Sequence, residues 1–195
     1  MGRSVVRRCM TALAVGLLAL VSFASTPAVA GPENRNNGAP ALLERQARSA
    51  NELQEQIDLH LKLYPGGKQT AANEITYDHG KFVATYAKPG EVQALGVPDC
   101  PSGWFCFYEY TGFGYPRGRL SDTDWQDLAT YGWHDRTDSV HNNTSTAVDF
   151  ENHTTGGHAN DMYLFCVSSY SNDSDVSPER NMADHVYRYY TERYC

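Results

Sequence analysis

The residues able to do chemistry are five cysteines, seven histidines and a few close-set Asp and Ser side chains. Cys9 lies in an apolar leader, which leaves Cys100, Cys106, Cys166 and Cys195. An even number of cysteines in an exported chain reads as disulfides. Three pairings are open. Neighbours close the least costly loops, which favours Cys100–Cys106 and Cys166–Cys195. By chain entropy the short loop contributes roughly 2 kcal/mol and the longer one about 4 kcal/mol. Structural zinc is the alternative, but no Cys-x-x-Cys spacing supports it. His153 and His158 with Asp161 could hold a metal, yet their spacing matches no known ligand pattern, and a solvated loop is the simpler reading. There is no Gly-x-Ser-x-Gly, no His-Glu-x-x-His and no nucleophile with an evident base, so the chain does not read as an enzyme. Asn142, Asn143, Asn152 and Asn172 head Asn-x-Ser/Thr triplets and read as polar loop residues.

These groups need elements to hold them. Residues 1–30 carry Arg3, Arg7 and Arg8, then an apolar run from Met10 to Phe23, then Ala28-Val29-Ala30. This is the pattern of a secretory signal peptide cleaved after Ala30. The run is short for a bilayer span and no second one follows, so no membrane attachment is expected after cleavage. Cleavage removes three of the 16 Lys and Arg and none of the 23 acids, leaving a formal charge of −10 on 165 residues. An acidic surface argues against nucleic acid and anionic membranes, both of which need cationic patches. Residues 31–39 read as a disordered leader. From Pro40 to Tyr64 the apolar residues Leu43, Ala47, Ala50, Leu53, Ile57, Leu61 and Tyr64 recur at three- and four-residue steps, the stripe of one helix. Glu74 to Ala87 reads as a hairpin turning at His79-Gly80. Residues 40–87 would then be an accessory segment, 88–98 a linker and 99–195 the main domain. Inside that domain aromatic runs cut by Gly and Pro indicate antiparallel strands. Met162 to Val167 is the most apolar strand of the domain's second half, and Val186 to Tyr190 reads as the last. Tyr108-Glu109 is echoed by Phe150-Glu151, and Asp138-Ser139-Val140 by Asp184-His185-Val186. Two units of about forty residues would share a core between two sheets.

Phe107 to Gly114 resembles the βγ-crystallin Greek-key signature, an aromatic strand leading into a folded hairpin closed by Gly. Tyr115 stands where the closing Gly is usual, which suggests a lengthened loop from Gly114 to Gly118. With Cys100 to Cys106 before it and Trp125 to Leu128 after it, the stretch is similar to secreted peptidase inhibitor family I36. The resemblance covers Cys100 to Thr144 well and Thr146 to Cys195 weakly. It implies a mainly β, βγ-crystallin-like Greek-key sandwich, here preceded by the helix and hairpin. It also implies a monomeric, cofactor-free inhibitor of an extracellular peptidase, a metalloprotease by analogy. In the family the reactive bond follows a half-cystine in the second Greek key, which matches Cys166-Val167 here. Many βγ-crystallin domains bind Ca²⁺ through a motif that Asp135, Asp138 and Ser139 fit in part, with His134 in place of the first Asn or Asp. A calcium-binding or structural contact protein without inhibitory activity is the alternative, with Tyr187, Tyr189, Tyr190 and Tyr194 as a contact surface.

Overall fold

The computed structural model describes residues 40–91 and 95–195. The signal peptide and leader expected over 1–39, and three residues of the linker, lie outside the described residues. Helix α1 spans Ala50–Leu63 and starts later than the apolar spacing suggests. Ser49 caps it, its side chain accepting from Glu52 N, while Glu52 turns back to accept from Arg48 N at 2.6 Å. This variant of the Ser-x-x-Glu cap, with Glu52 reaching one residue beyond Ser49, fixes the start. Leu43 and Ala47 still reach the core, from a turn that Gln56 braces through the carbonyls of Leu42 and Arg45.

Eleven strands follow among the described residues: β1 (Lys68–Ala71), β2 (Glu74–Tyr77), β3 (Phe82–Thr85), β4 (Phe105–Tyr110), β5 (Gly114–Leu120), β6 (Asp124–Asp127), β7 (Ser139–Asn142), β8 (Val148–Asn152), β9 (Met162–Val167), β10 (Ser171–Asp173) and β11 (His185–Arg188). They form two antiparallel sheets, ordered β1-β2-β3-β5-β4-β7-β10 and β6-β11-β8-β9. The first unit is β4 to β7 and the second β8 to β11. Each lends its third strand to the other's sheet: β6 pairs with β11, and β10 with β7. This is the paired Greek-key sandwich that the βγ-crystallin resemblance implies.

The structural echo follows the backbone register. Phe107 lies opposite Val140, and Phe150 opposite Val186, so Phe107 corresponds to Phe150 and Tyr108 to Glu151. The echo of Tyr108-Glu109 by Phe150-Glu151 is therefore one residue out of step. The echo of Asp138-Ser139-Val140 by Asp184-His185-Val186 is in step: Asp138 N donates to Tyr108 O, and Asp184 N to Glu151 O, both at 2.9 Å. Asp135 and Asn181, three residues before each, share a left-handed φ of 54° and 53°.

The hairpin β2–β3 turns at His79-Gly80, both with positive φ. It is not set apart from the sandwich. Phe82 to Thr85 pairs with Leu120 to Arg117, which makes β1, β2 and β3 an extension of the first sheet. Leu53, Ile57 and Ile75 share one core with Phe105, Phe107, Trp133 and Phe150. The ring of Phe82 stacks on Tyr131 at 4.0 Å. The loop expected from Gly114 to Gly118 is strand instead, part of β5. Its glycines allow close approach: a Cβ on Gly118 would sit 2.2 Å from the Phe107 ring. The other face of β4 holds a second cluster of Cys100, Cys106, Tyr108 and Phe113.

One buried ion pair crosses the main core. Arg136 Nε donates to Glu109 Oε2 at 2.6 Å, with both side chains at most 1% exposed. The guanidinium also donates to Gly132 O and lies 4.7 Å over the Trp133 ring. Burial works to lower the Arg136 pKa, but Glu109 outweighs it and keeps the guanidinium charged.

Candidate functional site

Ser139 opens β7 and ties down the folded hairpin that follows β4. Its Oγ accepts from Phe113 N at 3.0 Å and donates to Tyr110 O at 2.7 Å. Its proton and one of its two lone pairs are thus used in the fold. Asp138 is buried and Arg136, two residues earlier, points into the core. Asp135 is half-buried, and that burial, with the neighbouring Asp184 charge, raises its carboxyl pKa. Within the window expected to bind calcium, Ser139 ties the hairpin and Arg136 enters the core.

In the second unit His185 takes the position of Ser139, and the hairpin after β8 is tied differently. His185 Nδ1 hydrogen-bonds Asp161 Oδ2, and Asp161 also accepts from Thr154 N at 3.3 Å. Burial opposes ionisation of Asp161, but its hydrogen bonds from His185 and Thr154 hold the carboxyl below the usual range. His153 N donates to Asp184 Oδ2 at 2.9 Å. Trp125 stands 4.6 Å from the His185 ring and 4.9 Å from His158. Two sets of three ligand-type side chains meet here: Asp127, His134 and His185, and His153, Asp161 and His185. Sequence spacing brought His153 and Asp161 together with His158. The structure keeps the first two, packs His158 on Trp125, and adds His185, His134 and Asp127. No local motif marks those three, because β6, β7's approach and β11 meet only through the strand exchange.

The half-cystines pair as Cys100–Cys106 and Cys166–Cys195. Cys166 lies near the end of β9, opposite Asp149, and Val167 opposite Val148. Val167 is 6% exposed and belongs to the core. Its side chain faces inward in this fold. The strand instead exposes its start, with Met162 at 47% and Tyr163 at 58%. β9 is the edge of its sheet. Asn142, read from sequence as a loop residue, is buried and braces this edge: its Nδ2 is 2.8 to 3.1 Å from the carbonyls of Thr146, Val167 and Ser168. A groove of about 310 Å³ runs beside it, lined by Phe165, Cys166, Ser168, Asn172 and Val176. Of the tyrosines expected at a contact surface, Tyr190 and Tyr194 are exposed. Tyr187 and Tyr189 pack edge to face at 4.9 Å, and Tyr189 donates to Asp149; burial, helped by that bond, pushes its phenol up to about 12.

Residues 93–160 match the model of peptidase inhibitor family I36, a family of inhibitors rather than enzymes. The match takes in the whole first Greek key and ends before β9. No curated protein matches the chain. Two solved structures are similar. One comes from work on the evolution of the eye-lens βγ-crystallin domain fold, at 18% identity and a TM-score of 0.38, covering 50% of this chain and 96% of that one. The other is the minimised average NMR structure of spherulin 3A from Physarum polycephalum, at 14% identity and a TM-score of 0.38, covering 51% of this chain and 96% of that one.

Proposed function

We propose that this chain is a secreted, monomeric inhibitor of an extracellular peptidase and works without a cofactor. The observation that carries the reading is the inhibitor-family match over residues 93–160, which holds the first Greek key and its Cys100–Cys106 bond. The signal-like composition of residues 1–30 and the two disulfides, which persist in oxidising compartments, support secretion. No helix among the described residues is long and apolar enough to cross a membrane.

The contact we assign is the free edge of β9. Many peptidases hold substrate as an added β-strand, and an edge strand can offer its main chain in the same way. Met162 and Tyr163 supply exposed apolar side chains there, as a metalloprotease cleft would favour. The Cys166–Cys195 bond and Asn142 hold the far end of the strand in one shape, so little ordering entropy is lost on binding. Cys166 sits within this contact, while Val167 anchors it from inside.

The test is titration of the full secreted protein against metallo-, serine, cysteine and aspartic peptidases, measuring residual activity. Saturating, stoichiometric loss for one class supports the reading, and Met162→Asp with Tyr163→Asp should weaken it at least tenfold. Full activity across all four classes at micromolar inhibitor would reject it. Inhibition unchanged in the folded double variant would reject the β9 contact.

A further inference from the structure

His185 and His134 come from different parts of the chain and turn the same ring atom toward one carboxylate. His185 Nδ1 is hydrogen-bonded to Asp161, a side chain only 1% exposed. A carboxylate accepts, so the proton sits on Nδ1 and the lone pair on Nε2. That Nε2 faces Asp127 Oδ1 at 3.9 Å. His134 Nε2 faces the same oxygen at 2.9 Å. On the far side of the His134 ring, Nδ1 is 3.4 Å from Asp184 Oδ1. Asp184 is 6% exposed, and this oxygen has no hydrogen-bond partner.

We infer that Asp127, His134 and His185 form a binding site for a divalent transition cation of the Zn²⁺ type. Two imidazoles and one carboxylate suit such a cation, whereas Ca²⁺ and Mg²⁺ take oxygen shells. Ligand atoms in a tetrahedral zinc site stand roughly 3.3 Å apart, the edge given by bonds of about 2.0–2.1 Å. The two distances to Asp127 bracket that value, and the three ligand atoms lie within 4.8 Å of one another. Asp127 Oδ1 is held in place by Ala129 N at 2.8 Å and keeps a second lone pair for a cation, while His134, about a third exposed, can turn to close the set and leave a fourth position to water. A buried carboxylate stands behind each imidazole, Asp161 behind His185 and Asp184 behind His134. Outer-shell carboxylates of this kind fix the ring and raise the basicity of the ligating nitrogen. A cation on His134 Nε2 would move that ring's proton to Nδ1, which gives Asp184 Oδ1 the donor it lacks. The other grouping, His153 with Asp161 and His185, fits less well, because Asp161 and His185 Nδ1 are already committed to each other. The site does not depend on peptidase inhibition.

The experiment uses the full, tag-free chain after chelator treatment. Zn²⁺ is titrated by calorimetry, and Co²⁺ by its visible absorption. The expected result is one equivalent of Zn²⁺ bound at micromolar or better affinity, with a Co²⁺ spectrum of a low-coordinate nitrogen and oxygen site. His134→Ala should weaken Zn²⁺ at least tenfold, Asp184→Asn several-fold through His134, and His153→Ala less than twofold. In the wild-type protein the imidazole ¹⁵N resonances of His134 and His185 should both move at one equivalent, a readout that needs no variant to fold. No Zn²⁺ bound at one equivalent would overturn the site. So would loss of binding in His153→Ala alone, or Zn²⁺ that leaves the His134 and His185 resonances in place.

Discussion

His60 offers a sharp test of how the helix is seated. It lies on α1, fully buried, with Nδ1 2.8 Å from the Tyr86 hydroxyl and the rings of Tyr64, Tyr77 and Tyr86 around it. Burial, with the Arg136 charge nearby, lowers its pKa from 6.5 to about 3. The folded protein therefore keeps the ring neutral where the unfolded chain protonates it. Stability from this group is complete above the unfolded pKa and is lost as pH falls through the window from 6.5 toward 3. Between pH 7.5 and pH 5 the loss is about 2 kcal/mol, since pH 5 lies well above the folded value and the unfolded pKa sets the figure. The perturbation is His60→Gln, which keeps a partner for Tyr86 and cannot titrate. Urea unfolding followed by far-ultraviolet circular dichroism would be run at pH 7.5 and pH 5 on both proteins. The carboxylates titrate alike in both and cancel in the difference. The variant should be less stable at pH 7.5, and the gap should narrow or invert by about 2 kcal/mol at pH 5. A gap that stays constant between the two pH values would show that His60 is not held neutral, and the account of the helix seat would fail.

Two further outcomes follow from the core. Gly118→Ala places a methyl 2.2 Å from the Phe107 ring, which has no room to move in the centre of the sandwich. It should cost about 1–3 kcal/mol in urea unfolding, as overpacking does, and a neutral result would contradict the close approach of β5 to β4. Arg136→Met removes the guanidinium against which Glu109 is buried and should cost about 3–5 kcal/mol. Adding Glu109→Gln to that variant should recover part of the loss. A double variant no more stable than Arg136→Met would mean the cost lies in packing over Trp133.

How far the sequence could be read depends on what each feature requires. The aromatic alternation of Phe105 and Phe107 announces a strand, and loop length favours the two cysteine pairs, because both are local. The helix start was hidden by Leu43 and Ala47, which keep helical spacing while lying in the turn and irregular stretch before the helix; the Ser49–Glu52 cap is the signal that decides it. Residues 74–87 read clearly as a hairpin, yet nothing in them names β5 as partner, since backbone pairing is common to every strand, and β1 over Lys68–Ala71 carries no apolar alternation to mark it. Val167 and Met162 look alike in an apolar run. Only the edge position of β9 and its bulge determine which is inside. The meeting of Asp127, His134 and His185 has no local trace, because the exchange of third strands brings it about.

The joining of β3 to β5 bears on any attempt to isolate the Greek keys. A chain cut near residue 99 would keep both units but strip β5 of its neighbour, leaving a full row of main-chain donors and acceptors beside apolar Leu120. Such a row recruits the nearest available strand, often from another copy. In the intact chain the sheet ends instead at β1, four exposed residues beginning with Lys68. A short, charged, wholly wetted terminus is a poor template for a stranger. The helix and hairpin thus act as a selvedge, and trimming them would leave a self-adhesive edge.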